Sequence, residues 1–254
     1  MGLKDQAKAK LYNAIYLLGY TVRRNNAAHY LESDPSYAEI IRKVRPFTLT
    51  SCERIAAVID SVRHIVNSQI PGAFVECGVW RGGSMMAAAL TLMETNEIRD
   101  IYLFDTYAGM TAPTEHDVDF EGIQADGRFE KLAVDDHVDW CYASLEDVKD
   151  NLLSTGYPAD RLHFIKGDVV QTLPRQEMGD IALLRLDTDF YESTRAELNH
   201  LYPLVVDRGV VIIDDYGHWR GSQKAVDDYF GANRPLLCRL DYTGRLLVKA
   251  NRSS

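Results

Sequence analysis

The sequence is short of the features that mark thiol-metal, redox, membrane and nucleic-acid proteins. Its four cysteines, Cys52, Cys77, Cys141 and Cys238, lie far apart and none forms a C-x-x-C pair, which excludes the common zinc and dithiol motifs. Reduced thiols in a cytoplasmic protein are the simplest consequence. The first residues lack the basic, apolar and small-residue order of a secretory leader, in line with a cytoplasmic location. No apolar run reaches the roughly 20 residues of a membrane span. The nearest approach, residues 11–22, is interrupted by Asn13 and three tyrosines. Lysine and arginine number 28 against 37 aspartates and glutamates, a net charge of -9. Such acidity repels phosphate backbones and argues against a nucleic-acid partner. A G-x-G-x-x-G fingerprint, internal repeats, low-complexity tracts and long linkers are also missing.

What is present suits an α/β protein. At 254 residues and 46% hydrophobic, the chain has material for a substantial core. Residues 1–45 read as helical and tyrosine-rich, with Leu11, Ile15, Leu18 and Val22 at helical spacing, as in a packing or dimerisation helix. Residues 50–66 form a clearer amphipathic helix. Ile55, Val58, Ile59, Val62 and Val66 share one face, and Ser51 stands as a cap. Short apolar strands then alternate with helices: 73–77, 101–105, 162–168, 181–186 and 209–213. This predicts a mostly parallel sheet with helices on both faces. Residues 236–240 and 245–249 flank Asp241-Tyr242-Thr243-Gly244, which predicts a closing antiparallel hairpin. The segment from Tyr107 to about residue 140 is acidic, irregular and long, the usual form of a lid over a site.

Candidate site residues fall at the carboxyl ends of the predicted strands, where open α/β sheets bind ligands. The first strand runs into Glu76-Cys77-Gly78-Val79-Trp80-Arg81-Gly82-Gly83-Ser84, a glycine turn that lets backbone approach a ligand. Its spacing is wrong for a dinucleotide pyrophosphate. It suits S-adenosylmethionine, which has no phosphate and needs a tight turn beneath its methionine part. Asp105 ends the second strand, placed for ribose hydroxyls, and Gly167-Asp168 ends the third, placed for an adenine amino group.

The acidic strings Leu186-Asp187-Thr188-Asp189 and Ile213-Asp214-Asp215 each follow an apolar strand. If those strands are neighbours, four carboxylates converge, and their mutual repulsion calls for a cation. An all-oxygen set favours magnesium or calcium, and magnesium keeps waters that substrate oxygens can replace. Methyl transfer to an alcohol uses such a site. The hydroxyl is a poor nucleophile until a cation stabilises its developing charge and a carboxylate takes its proton. The same Asp187-Thr188-Asp189 string has the D-x-D form of a metal-dependent glycosyltransferase, which leaves that reading open beside a non-catalytic cofactor-binding protein.

These strings together resemble the macrocin O-methyltransferases, a family that methylates deoxysugar hydroxyls of macrolide, aminocoumarin and enediyne natural products. The resemblance spans residues 45–250. It is carried by Phe74-Val75-Glu76-Cys77-Gly78-Val79-Trp80-Arg81-Gly82-Gly83, Phe104-Asp105-Thr106-Tyr107-Ala108-Gly109-Met110, Leu184-Arg185-Leu186-Asp187-Thr188-Asp189-Phe190-Tyr191 and Ile212-Ile213-Asp214-Asp215-Tyr216. It implies a Rossmann-like class I methyltransferase with a seven-stranded sheet. It implies S-adenosylmethionine along Glu76, Cys77, Gly78, Val79, Arg81, Gly82 and Ser84, with Asp105 and Thr106 near the ribose. It implies magnesium on Asp187, Asp214 and Asp215, Asp189 as general base, and a small-molecule acceptor, a glycosylated natural product. It also implies a homo-oligomer, with residues 1–70 as a helical capping and oligomerisation segment and 71–254 as the catalytic domain, its lid at about 107–140. Residues 1–45 and 111–139 depart from the family pattern.

Other residues have two readings each. His137 is a lid base or a solvated loop residue. Trp140 and Tyr142 stack on ligand or anchor the lid. Tyr191 packs beneath the site or touches substrate. Arg185 pairs with a cluster acid or turns away by strand alternation. Ser144 is a helix cap or an adenine contact.

Overall fold

The computed structural model describes residues 30–250. The readings placed on residues 1–29, including the stripe Leu11, Ile15, Leu18 and Val22, lie outside the described residues.

A short turn of helix, α1 (Tyr30–Ser33), precedes α2 (Pro35–Val44). Asp34 caps α2 by accepting the Ser36 N–H, and Pro35 sits where its missing donor costs nothing. Helix α3 (Cys52–Asn67) begins at Ser51, whose hydroxyl accepts the Arg54 N–H as the sequence predicts. Its apolar stripe of Ile55, Val58, Ile59, Val62 and Ile65 is buried, and Val66 packs partly against the same core. The remaining helices are α4 (Gly83–Glu94), α5 (Asp126–Leu132), α6 (Leu145–Leu153), α7 (Val169–Thr172), α8 (Tyr191–His200) and α9 (Arg220–Phe230).

Seven strands form one sheet: β1 (Ala73–Cys77), β2 (Ile101–Asp105), β3 (Leu162–Lys166), β4 (Ile181–Leu186), β5 (Val205–Ile213), β6 (Cys238–Arg239) and β7 (Arg245–Val248). Their order is β3-β2-β1-β4-β5-β7-β6. The first five run parallel, and β7 is antiparallel to both β5 and β6. The predicted Rossmann-like sheet with its closing hairpin is therefore present. Strand order reverses between β1 and β4, which opens a crevice at their carboxyl ends.

Strand alternation divides the apolar residues between two cores. Phe74, Leu103, Leu183 and Ile212 face α2, α3 and α4. Val75, Phe104, Leu184, Val211 and Ile213 face Leu198 of α8 and Val226 of α9. Helix α3 thus forms part of the layer covering the sheet. Among the described residues, no helix is long and apolar enough to cross a membrane.

Two details differ from the sequence reading. Strand β5 starts at Val205 rather than 209, because the polar pair Asp207-Arg208 masks its first half; Arg208 takes a left-handed φ of 64° beside Gly209. The lid contains α5, which its weak periodicity did not announce.

Candidate active site

Register builds the site. Cys77 pairs with Phe104 on one side and Leu186 on the other, and Leu186 pairs with Ile213. The tips of β2, β1, β4 and β5 therefore end level. One further ladder bond follows each strand: Gly78 N–H to Phe104 O, Asp187 N–H to Cys77 O and Asp214 N–H to Leu186 O, all 2.9 Å. Gly78 has φ +79°, and a Cβ there would stand 1.9 Å from the Asp187 carbonyl oxygen. Only glycine lets the two tips close up.

On the β1–β3 side, backbone amides hold the carboxylates. Asp105 Oδ2 accepts the N–H groups of Val79 (2.6 Å) and Trp80 (3.1 Å), and Oδ1 accepts that of Tyr107 (2.7 Å). Burial raises the Asp105 pKa above its ordinary value, with these donors opposing the rise. Asp168 caps α7 through the Val170 N–H. Thr106 donates to the Gly109 carbonyl and ties the start of the lid.

On the β4–β5 side, two arginines thread the acids. Glu76 and Arg185 are cross-strand partners on the α3 face. The buried Arg185 guanidinium donates to Glu76 Oε1 and Asp187 Oδ2 (2.6 Å each), to Asp214 and to Thr50 Oγ1 (3.2 Å). Arg54, reaching from α3, pairs with Asp214 and with Asp241. Burial pushes Glu76 up to about 8, against the pull of Arg185. Asp189 and Asp215 receive no guanidinium. Their carboxylates lie against each other beside Trp219. Burial, then the charge of Asp187, raises Asp189 to about 7, and burial with Asp189 raises Asp215 well above its usual range. Asp189 adopts φ 68°, a left-handed conformation that aspartate tolerates better than most residues, and its N–H reaches Asp215 Oδ2 at 3.1 Å.

Oxygens of Asp187, Asp214 and Asp215 lie within 4.8 Å of one another. Asp187 and Asp214 keep lone pairs beyond those their guanidinium bonds use, Asp215 meets no guanidinium, and six acids, Asp241 included, meet only two arginines. The donor set is hard, convergent and negative in excess, which fits a magnesium-class ion.

A cavity of about 340 Å³ joins the two sides, a size suited to a small-molecule ligand. Of the sequence-predicted residues, Gly78, Val79, Ser84, Asp105, Thr106, Gly167, Asp168, Asp187, Asp189, Asp214 and Asp215 line it. Glu76, Cys77, Arg81 and Gly82 are not in its lining. Glu76 lies behind with Arg185, and Cys77 faces the opposite core. Arg81 pairs with Asp147 of α6 at 2.9 Å and donates to the Pro46 carbonyl, fastening the glycine turn from outside. His137 stacks on Tyr142 at 4.0 Å and bonds Asp136, away from the cavity. Tyr191 is held by Asp228 outside it as well. Ser144 caps α6 through the Asp147 N–H. Trp140 lines the cavity and also packs with Phe190 and Trp219, at 5.9 and 6.0 Å, anchoring the lid to the core.

The sequence reading passed over Arg54, Thr50, Arg128, His218 and Tyr242, all of which line the cavity. Arg54 lies at helical spacing on α3, and nothing local distinguishes it from an ordinary solvated arginine. Glu197 was also missed. It is buried on α8 and accepts the Thr188 hydroxyl at 2.8 Å, which steadies the Asp187–Asp189 loop.

Comparison with known proteins agrees with this geometry. Residues 28–244 match the macrocin O-methyltransferase (TylF) family. The chain is 32% identical over 203 residues to an 8-demethyl-8-(2,3-dimethoxy-alpha-L-rhamnosyl)-tetracenomycin-C 4'-O-methyltransferase of Streptomyces olivaceus, covering 78% of this chain and 73% of that one. It is 29% identical over 214 residues to demethyldecarbamoylnovobiocin O-methyltransferase of Streptomyces niveus, covering 81% and 77%. Among solved structures, the O-methyltransferase NovP superposes with a TM-score of 0.70 at 27% identity, over 85% of this chain and 89% of that one. The calicheamicin methyltransferase CalS11 shares the fold at a TM-score of 0.63 and 17% identity, over 99% and 95%. These matches set aside the glycosyltransferase and non-catalytic readings of the aspartate strings. Glycine turn, level strand tips and family match converge: the chain belongs to the macrocin O-methyltransferase family and is an S-adenosylmethionine-dependent O-methyltransferase.

Proposed function

We propose that this enzyme methylates a hydroxyl of a deoxysugar carried by a natural product, in a magnesium-dependent reaction. The observation carrying the reading is the Asp187, Asp214 and Asp215 trio, converged within 4.8 Å in the wall of a cavity that the glycine turn also lines. The names of the relatives support the acceptor class, since one is named for 4'-O-methylation of a rhamnosyl tetracenomycin.

Gly78, Val79, Ser84, Asp105, Thr106, Gly167 and Asp168 would hold the cofactor, while Glu76, Cys77, Arg81 and Gly82 shape the turn from behind. Asp187, Asp214 and Asp215 would hold the ion. When bound, S-adenosylmethionine supplies an electrophilic methyl group and magnesium lowers the cost of charge on the acceptor oxygen. Asp189, beside the trio and lining the same cavity, takes the hydroxyl proton. Arg185 holds Asp187 and Asp214 in place from the buried face, and Trp140 with Trp219 closes the water side. Residues 1–70 cap the site and support a homo-oligomer of two or more chains. Thr50 and Arg54 reaching into the cavity from this segment support the capping role.

The test is calorimetric titration of magnesium into the protein saturated with S-adenosylhomocysteine, beside methyl-transfer assays on deoxysugar glycosides with and without chelator. One magnesium site, lost in Asp187→Asn, is expected. Absence of magnesium heat together with full turnover in chelator would overturn the reading.

A further inference from the structure

Two loops carry the acidic cluster, and each runs into a helix with no cap of its own. Asp187 and Asp189 precede α8, whose N-cap residue is Phe190. Asp214 and Asp215 precede α9, whose N-cap residue is Trp219. Neither aromatic side chain can accept a hydrogen bond from the free N–H groups of a first helical turn. The lid supplies both missing acceptors. Asp117 Oδ1 takes the Tyr191 N–H at 2.8 Å, and the Val118 carbonyl takes the Arg220 N–H at 2.8 Å. A bridge between Asp119 and Trp219 continues the seam.

Asp117 is the buried centre of this seam, with 0% exposure. Its Oδ2 accepts the Thr114 N–H (2.6 Å) and the Thr114 hydroxyl (2.9 Å). The first turns of α8 and α9, the positive ends of their dipoles, face the carboxylate. Gly221 in α9 makes room for it, since a Cβ there would stand 2.0 Å from Asp117 Oδ1. The Asp117 main chain donates to the Thr114 carbonyl and accepts the Ala125 N–H at 3.0 Å, so it also draws together both ends of the turn that leads into α5. A carboxylate buried this deeply is costly without its donors, so lid, α8 and α9 hold one mutual position.

That position reaches the acids. The Thr188 hydroxyl donates to Glu197 of α8, and the Ser193 hydroxyl of α8 donates to the Thr188 and Phe190 carbonyls. The Asp187–Asp189 loop is therefore fastened to the first turns of the helix that Asp117 caps. On the other side, the Trp219 N–H donates to the Asp215 carbonyl at 3.0 Å. The Phe190 and Trp219 rings meet edge-on at 5.4 Å and share one apolar cluster with Ala125 and Trp140 of the lid.

We infer that Asp117 is a positioning residue for methyl transfer: it caps α8 from the lid and so ties the seating of the lid to the placement of Asp187 and Asp189. Lid and acidic cluster then move as one unit. The inference rests on the roles proposed above for Asp187 and Asp189.

Hydrogen-exchange mass spectrometry on the full chain saturated with S-adenosylhomocysteine, beside calorimetric titration of magnesium chloride, compares wild type with Asp117→Ala and Asp117→Asn. In Asp117→Ala, exchange is expected to quicken about two- to thirtyfold both in the lid, residues 108–132, and in residues 187–200. Residues 73–84 should be unchanged, and magnesium should bind about three- to tenfold more weakly. Asparagine keeps an acceptor for Tyr191 but turns an amide N–H group toward Thr114, so Asp117→Asn should fall between. A quickened lid with residues 187–200 and magnesium affinity unchanged would make Asp117 a lid fastener alone and overturn the inference. Quickening of 187–200 without the lid would overturn it as well. If Asp117→Ala also loosens residues 73–84, Asp117→Asn decides: paired quickening of the two segments supports the coupling, and any other pattern refutes it. Failure of the wild-type chain to bind magnesium strikes the proposed reaction instead, and the exchange comparison still judges the coupling.

Discussion

Carboxylates at the tips of β1–β3 and those at the tips of β4–β5 are held in opposite ways. Asp105 spends one oxygen on the Val79 and Trp80 N–H groups of the glycine turn and the other on the Tyr107 N–H of its own turn, and Asp168 caps a helix. These bonds are complete within the chain, so the side proposed for the cofactor is held by the protein's own backbone. Across the crevice, Asp187 and Asp214 share Arg185 with Glu76 of β1, Arg54 adds a second bond to Asp214, and Asp189 faces Asp215 with no guanidinium between them. That side has its geometry but not its charge balance. The difference teaches that backbone amides alone position one half, while the other half needs buried arginines to bring acids together and leaves a charge deficit that the proposed metal ion would fill.

The sharpest way to break this comparison is to remove the buried cation. Arg185→Met strips three acids of their common donor and leaves Glu76 with none. A loss of about 3–5 kcal/mol in unfolding free energy is expected, read from urea midpoints. A change below about 1 kcal/mol, the scale of a surface pair, would mean that Arg185 does not organise the cluster. Asp187→Asn comes next. It should lower magnesium-stimulated turnover by about 10²–10³-fold and leave S-adenosylhomocysteine affinity unchanged by calorimetry. Equal loss of cofactor affinity would show that the two halves act as one. Asp105→Ala is the mirror experiment. It orphans the amides of Val79, Trp80 and Tyr107, so cofactor affinity should fall about ten- to hundredfold with magnesium binding intact. Loss of magnesium binding in that variant would erase the distinction.

The two halves also differed in how far the sequence revealed them. The glycine turn, the acids ending each strand and the caps at Ser51 and Ser144 are local signals, and the structure places each where periodicity and turn chemistry indicate. Convergence of Asp187 with Asp214 required only that β4 and β5 be neighbours, which alternating strands and helices favour. What escaped notice depends on alternation across strands and on contacts distant in sequence. Arg185 had two possible directions until its register with Glu76 was known. Arg54 meets an acid 160 residues away. Phe120 and Tyr242 look like loop residues until the lid and the last hairpin meet. Arg81 and Gly82 read as cofactor contacts because they stand in the glycine string; the structure places the Arg81 side chain on Asp147 and Gly82 against Leu152, both of α6.

Asp241 combines both modes of support and gives the smallest predicted effect. Burial opposes its ionisation, but the Gly244 N–H, the Ser51 hydroxyl, Arg54 and the Thr243 N–H outweigh it and hold the carboxyl below its ordinary value. A group whose folded pKa is depressed stabilises the fold while it is ionised. Its contribution is therefore present above the unfolded value of about 3.9 and is lost as pH falls through the folded one. Asp241→Asn keeps an acceptor for the turn amides and removes the charge facing Arg54. It should cost about 1–2 kcal/mol near pH 7, and the gap from wild type should close as pH drops below about 4. Urea midpoints of both proteins, taken down to the lowest pH at which the wild type still folds, measure this. A gap that stays constant with pH would assign the role of Asp241 to the turn amides alone, placing it with Asp105 rather than with the arginine-bound acids.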